Sequence, residues 1–281
     1  MIHSAVIDPR TIAGNLDLDA SGLWWPRTRS PVDYPDEGNA FCFQVEDQSF
    51  WFGHRNRCIL AAVGRLPPAG PVFDIGGGNG FVARALAQAG YPAVVVEPGP
   101  VGARNAQARG LSPVICSTLD DAGFHPGSLP AAGLFDVLEH IEDDHTVLHR
   151  LAALVEPGGR LYLTVPAYSW LWSGEDERGG HHRRYSRGAL VRVVREAGFG
   201  VEFASYFFWP LPLPILLVRA IPWRLGHRPP VDVEAMKREL KPPTGPAVDI
   251  LMALLGMERK WLERGGRVPF GGSLLLVARR R

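Results

Sequence analysis

Val72-Phe73-Asp74-Ile75-Gly76-Gly77-Gly78-Asn79-Gly80-Phe81 is the stretch whose reading decides the fold. An apolar run meets an acid, and glycines follow at 76, 78 and 80. Residues 81–89 are compatible with a helix that Gly90 closes. A buried strand, a glycine turn and a helix N-terminus make a nucleotide pocket, because glycine lets the backbone pass close to a ligand where a Cβ would collide. The spacing selects among nucleotide folds. Counted from Gly76, the dinucleotide fingerprint G-x-G-x-x-G requires glycine at 81, where Phe81 stands. No Gly-Lys-Ser/Thr follows, which excludes a P-loop. Asp74, Gly76, Gly78 and Gly80 match Asp-x-Gly-x-Gly-x-Gly instead. An acid at this strand end repels phosphate and suits a cationic or amine-bearing ligand.

The chain around this stretch has 281 residues, 46% of them hydrophobic, enough for one large α/β domain with additions. A formal charge of +1 creates no global field for nucleic acid, so no nucleic-acid partner is expected. Cys42, Cys58 and Cys116 are scattered without a C-x-x-C pair, which argues against a zinc site or a disulfide framework and fits a reducing cytosol. Asp8 and Arg10 interrupt the N-terminal stretch, so no signal peptide is expected and the location expected is cytoplasmic. The most apolar run, Phe207 to Trp223, holds four prolines and Arg219 and is too broken for a spanning helix.

Upstream, residues 1–48 form an arm without clear periodicity. Trp24-Trp25-Pro26 and Pro31-Val32-Asp33-Tyr34-Pro35 read as irregular or extended, with tryptophans that anchor the arm or cover a pocket. A helix is expected from Ser49 to Val63, ended by Pro67-Pro68. Downstream, Ala93 to Val96 is a second strand ending in Glu97, an acid able to accept hydrogen bonds from both ribose hydroxyls. Val114 to Cys116 is a third strand. Ala131 to Phe135 is a fourth, followed by Asp136-Val137-Leu138-Glu139-His140 and a helix with Val147, Leu148, Leu151, Leu154 and Val155 on one face. Glu156 to Gly159 reads as a turn and Arg160 to Pro166 as a fifth strand. The aromatic, acidic loop from Ala167 to Gly180 would lie beyond that strand's carboxyl end, where open parallel sheets bind ligands. Ser186 caps a helix with Leu190, Val193, Val194 and Ala197 on one face. Val201 to Tyr206 is a sixth strand. The seventh, Ser273 to Ala278, comes only after an insert, 208–268, that holds the proline-broken apolar run and an amphipathic helix near Val248 to Leu262.

The glycine turn, the Trp51-Phe52-x-x-Arg55 helix, Asp136 to His140 and the Pro157-Gly158-Gly159 turn resemble class I S-adenosylmethionine-dependent methyltransferases of the ubiquinone-biosynthesis and small-molecule type, over roughly residues 41–206. The resemblance implies an α/β, Rossmann-like, seven-stranded sheet, mostly parallel with strand seven antiparallel and helices on both faces. Residues 49–207 and 269–281 would form the cofactor-binding core, with the arm and the insert on the substrate side. It implies S-adenosylmethionine as cofactor, S-adenosylhomocysteine as product, and methyl transfer to an O or N nucleophile of a small, apolar acceptor. By resemblance, Asp74, Gly76, Gly78 and Gly80 hold the cofactor and Glu97 its ribose. Arg55 or His54 meets the methionine carboxylate, and Phe135, Asp136 and His140 border the methionine end; His140 is otherwise a helix-start histidine bonded locally. One departure stands out. Relatives often carry Gly-Asp after the third strand, whereas Ser117-Thr118 stands here, with Asp120 and Asp121 beyond. The adenine contact at Thr118 then falls to a backbone amide or to a shifted acid.

The segment His181-His182-Arg183-Arg184-Tyr185 resembles a His-x-Arg-x-Tyr stretch of such enzymes. His181 or His182 could act as general base near the transferred methyl, with Tyr185 as a further catalytic candidate. The alternative is surface charge before a helix. Nothing in the sequence requires a metal. The insert either packs on the sheet or a second subunit, as in a homodimer, or forms a lid or interfacial patch with peripheral membrane contact. Two other classes stay open: a nicotinamide-dependent oxidoreductase, disfavoured by Phe81, and a non-catalytic cofactor-binding partner.

Overall fold

The structure, a computed structural model, describes residues 7–28, 30, 36–228 and 245–281. Among them, nine strands form one sheet: β1 (Leu16–Leu18), β2 (Trp24–Pro26), β3 (Val72–Ile75), β4 (Ala93–Val96), β5 (Val114–Ile115), β6 (Leu129–Phe135), β7 (Val155–Pro166), β8 (Phe199–Phe207) and β9 (Ser273–Arg280). Their order is β1-β2-β5-β4-β3-β6-β7-β9-β8. Strands β5, β4, β3, β6 and β7 are parallel, and β9 runs antiparallel between β7 and β8. This contains the expected seven-stranded sheet with its last strand reversed. The central strands β3 and β4 are buried along their whole length, as their unbroken apolar runs require when both sheet faces are covered.

Helices cover the two faces. On one lie α2 (Phe50–Arg65), α3 (Phe81–Gln88) and α4 (Pro100–Ala108), packed around Val72, Val95, Ala131 and Val277. On the other lie α5 (Asp144–Leu154) and α7 (Arg187–Glu196), whose Leu148, Leu151, Leu190 and Val194 pack on Phe73, Leu134 and Leu163. The caps are those the sequence offers: Ser49 Oγ accepts from Phe52 N, Asp143 from Thr146 N and Ser186 from Ala189 N.

Of the two alternatives for Trp24 to Pro26 the extended one holds: β1 and β2 pair antiparallel, and β2 joins β5 in parallel through Trp24 and Ile115. A two-residue β5 would otherwise be an open edge, and the arm covers it. Residues 31–35 lie outside the described residues. The turn expected from Glu156 to Gly159 is absorbed into β7 through a register shift between Leu129 and Ala131, so Val155 opens this strand rather than closing the α5 face. The broken apolar run of the insert is helical: α8 (Pro212–Ile215), a π-helical turn Leu216–Ala220 and α9 (Ile221–Arg224). Pro212 sits in a first turn, where a missing N–H is harmless, and Pro222 follows directly on the π-helical turn. The last insert helix, α10 (Pro246–Glu263), packs on α2 and buries Leu255 and Leu262. The proline pairs Pro229-Pro230 and Pro242-Pro243 of the insert lie outside the described residues. No described helix is long and apolar enough to cross a membrane.

Asp136, Tyr168 and Phe208 adopt left-handed backbone conformations, at φ 57°, 59° and 61°. Each follows the carboxyl end of a strand, β6, β7 or β8, along one edge of the sheet. Strain of this kind in non-glycine residues gathers where ligands are held.

Candidate active site

The site begins at the glycine turn. Gly76 N donates to Val96 O at 2.8 Å, tying the turn to β4. A Cβ on Gly76 would lie 3.0 Å from the Val137 methyls, at a φ of 69° that L side chains rarely adopt. Gly80, at φ 71°, is the N-cap of α3 and is crowded by Leu111 and Ala106. Glu97 is fully buried at the end of β4. Its carboxylate accepts from Gly78 N and Gly99 N, each at 2.8 Å, and from Asn39 Nδ2 at 3.4 Å.

Asn39 belongs to α1 (Asp36–Val45), a helix the sequence reading did not anticipate. Asn79 Nδ2 donates to Asn39 O at 2.9 Å, and the following Glu46 pairs with Arg109 at 2.9 Å. Burial raises the Glu46 carboxyl above its ordinary value although Arg109 and Arg55 oppose the shift. Residues 36–48 thus roof the glycine turn.

Arg55, on α2, joins the first and fourth strand ends. Its Nη1 donates to Asp136 Oδ2 at 2.7 Å, and Asp136 Oδ1 accepts from Thr164 Oγ1 at 3.0 Å. Asp74, at the strand end below, is pushed up to about 7 by burial, with Arg55 opposing and Glu97 adding to the shift. Burial, and then Asp136, pushes the Glu139 carboxyl well above the carboxylate range. Asp74 Oδ2, Arg55 Nε and Glu139 Oε2 are buried without a hydrogen-bond partner. Two acids that both feel Arg55, each group with an unpaired polar atom, fit a ligand that carries both an amine and a carboxylate. The methionine end of S-adenosylmethionine is such a group, so the residues present fit the cofactor.

Other sequence candidates are placed differently. His54 faces away from the turn: its Nε2 lies 2.7 Å from Glu258 Oε1 of α10. That leaves Arg55 as the basic residue of α2 beside the turn. The Phe135 side chain is packed in the core, so only its backbone borders the site. Thr118 Oγ1 accepts from Asp121 N at 2.9 Å. The shifted acids are engaged elsewhere, Asp120 with Arg150 and Asp121 with Ser30.

The segment 181–185 is stitched across two strand ends. His182 N donates to Glu139 O at 2.7 Å, and Tyr185 N to Pro166 O at 2.9 Å. Tyr185 is a core residue whose hydroxyl donates to Asp144 Oδ2 at 2.6 Å, which removes it from the catalytic candidates. The His182 side chain is exposed. His181 is half-buried, with Nδ1 2.9 Å from Asp176 Oδ1 and its ring edge-on to His140 at 4.7 Å. Asp176, on the short helix α6 (Gly174–Arg178), is fully buried and also accepts from Arg184 Nε at 2.7 Å. Burial works to raise its carboxyl, but the bonds from His181 and Arg184 outweigh this and hold it below its ordinary value. His140 is lowered by the protein packed around it and then by His181.

Among the described residues, two clusters offer metal-ligand atoms within 4.8 Å of one another: Glu139, His140 and His181, and the buried His54, Cys58 and Glu258. In the second, Glu258 already accepts from Phe208 N and Trp209 N at 2.8 Å each, so its oxygens are engaged without an ion. Beyond β7 an aromatic wall forms. Tyr168 stacks on Tyr206 at 4.9 Å and on Trp170 at 5.2 Å, with Phe270 at 5.5 Å. Asn39, Glu46 and Phe270 were missed by sequence reasoning. Each lies far along the chain from the motif it joins, and no local pattern marks it.

The sequence pattern of the methyltransferase-domain family matches residues 47–202. A ubiquinone biosynthesis O-methyltransferase of Xanthomonas axonopodis pv. citri is 30% identical over 161 residues, 50% of this chain and 67% of that protein. The same-named protein of Xanthomonas campestris pv. campestris is 29% identical over 35% of this chain and 44% of its own length. The chain therefore aligns with between about half and two thirds of these relatives' length. Among solved structures, phosphoethanolamine N-methyltransferase 2 of Haemonchus contortus, bound to S-adenosylmethionine, superposes with a TM-score of 0.53 at 17% identity over 92% of this chain and 61% of that one, a likeness of fold. The match over more than half of the chain and the fitting glycine turn lead to one assignment: the protein belongs to the methyltransferase-domain family and is a class I S-adenosylmethionine-dependent methyltransferase.

Proposed function

We propose that the acceptor is a small, apolar molecule methylated on oxygen or nitrogen, with His181 as general base. The observation that carries this reading is the His181–Asp176 pair beside His140, in a chain whose β7 leads into an aromatic cluster around Tyr168. S-adenosylmethionine, when bound, supplies the electrophilic methyl group. Glu97 and the glycine turn would hold its nucleoside, and Asp74, Arg55 and Glu139 its amino-acid end. Asp176 favours the His181 tautomer with the proton on Nδ1, which leaves Nε2 as the atom that accepts a proton. The aromatic wall would hold an apolar acceptor body. The relatives' name favours oxygen as the nucleophile. Residues 36–207 and 269–281 would serve the cofactor, while the outer insert would face the acceptor.

The test is labelled methyl transfer from S-adenosylmethionine into a panel of apolar phenols and amines, with products identified by mass spectrometry. His181→Ala should lower kcat by about 10²–10⁴ while cofactor affinity holds. The loss should be partly recovered at high pH, where a phenol ionises unaided. His182→Ala should change little. Methylation at carbon, or a kcat near wild type in His181→Ala, would overturn the reading. Loss of wild-type activity on chelation would overturn it in favour of a cation held by Glu139, His140 and His181.

A further inference from the structure

We propose that the outward face of residues 212–225 docks on an anionic phospholipid surface. The helical run presents Leu213, Leu217, Val218, Ile221 and Leu225 to solvent, exposed by 62, 63, 73, 37 and 81%. Their spacing of four, one, three and four residues sets them on one side of a helix. Large apolar side chains this exposed and this contiguous mark a surface that meets an apolar partner.

Charge identifies the partner. From Phe203 to Val231 the sequence contains no Asp or Glu, while Arg219, Arg224, His227 and Arg228 fall within it. The run and its flanks thus carry cations and no acid of their own, although the chain as a whole has a net charge of only +1. The Arg228 guanidinium lies 4.4 Å from the Trp223 ring centroid, and Trp209 is exposed nearby in the chain. Apolar side chains flanked by arginine and tryptophan are the composition of a helix lying in the headgroup region. The shape agrees, since a helix facing outward meets a fluid layer without a complementary groove. No described helix can cross a membrane, so the contact is peripheral.

The inner side of the run packs on the loop that follows β7. Arg224 Nη2 donates to Trp170 O at 2.8 Å, and a Cβ on Gly174 would lie 2.9 Å from the Trp223 ring. Trp170 is part of the aromatic wall. Docking therefore sets the wall beside the layer from which an apolar acceptor would enter; this last step rests on the acceptor reading above, whereas the docking itself does not.

The test is flotation of the full chain with vesicles of phosphatidylcholine alone, or with about one third phosphatidylglycerol. The bound fraction should rise about tenfold with the anionic lipid and fall as salt is raised. The double variant Leu217→Asp/Leu225→Asp, its fold checked by circular dichroism, should stay unbound yet turn over a water-soluble acceptor like wild type. Absence of wild-type binding, or binding unchanged in the variant, overturns the proposal. So does a wild-type dimer in sedimentation that the variant dissolves and vesicles leave intact, because the face then belongs to a second copy. If vesicles bind but no apolar acceptor is methylated, docking stands and the acceptor reading falls.

Discussion

Asp74 carries a carboxyl whose proton is held until a pH of about 7, because burial penalises its charge more than Arg55 rewards it. A ligand ammonium favours the ionised form. Cofactor affinity should therefore fall as pH drops below about 7, by up to tenfold, about 1.4 kcal/mol, per unit. Calorimetry across this range checks it, and Asp74→Asn should flatten the dependence. The linkage also acts on the free chain. A folded pKa raised above its unfolded value means that the folded state keeps a proton the unfolded state loses. Stability should thus fall as pH climbs from the ordinary carboxylate range to about 7, then level off. A profile rising across that window would refute the assignment.

Helix α2 works with both of its sides. One side carries Arg55 to Asp136 and the other carries His54 to Glu258, so the helix that brings Arg55 to Asp136 is clamped from behind by α10. Glu258 is almost fully buried and accepts from Phe208 N and Trp209 N as well. Glu258→Ala leaves two backbone donors and a histidine without their acceptor, and should cost about 3–5 kcal/mol in urea unfolding. Glu258→Gln should cost less, because one carbonyl oxygen remains. A loss below about 1 kcal/mol in the alanine variant, the net worth of an ordinary hydrogen bond, would show that the pair does not clamp α10. The clamp also alters the meaning of the insert: its last helix supports the core, and the outward portion is the run through α8 and α9.

The molecule as a whole closes over its site with residues from the N-terminal arm. Asn39 reaches Glu97, and Glu46 pairs with Arg109, so the roof over the glycine turn is tied to both β4 and α4. A chain starting at residue 36 should keep its cofactor affinity, whereas one starting at 49 should lose about tenfold, the equivalent of one good hydrogen bond. In the full chain, Asn39→Ala should speed cofactor release in stopped-flow measurements. Release at the wild-type rate in Asn39→Ala, with affinity unchanged in the shorter chain, would remove the roof from the binding mechanism.

Much of this architecture was legible in the chain itself. Strand β3, the glycine turn and α3 follow from local steric rules, since only glycine accepts the turn at Gly76 and Gly80 and only an apolar run survives burial on both faces. Glu97, the cap at Ser186 and the reversed last strand were likewise readable, because each depends on neighbours a few residues away or on the order of elements. The tertiary structure alone decided which side chains meet. Arg55 joins Asp136 across 81 positions, and His54 joins Glu258 across 204. No periodicity encodes such a pair. The adjacent His54 and Arg55 were interchangeable in sequence, and helix geometry sent them to different partners, since residues next to each other on a helix do not share a face. The same holds for His181 and Tyr185: one meets a buried carboxylate at the site, while the other is drawn into the core by Asp144. Local sequence specifies which elements form and where their turns fall, because those energies are local. Packing specifies which groups are desolvated and paired, and the chemistry of the site resides in those pairs.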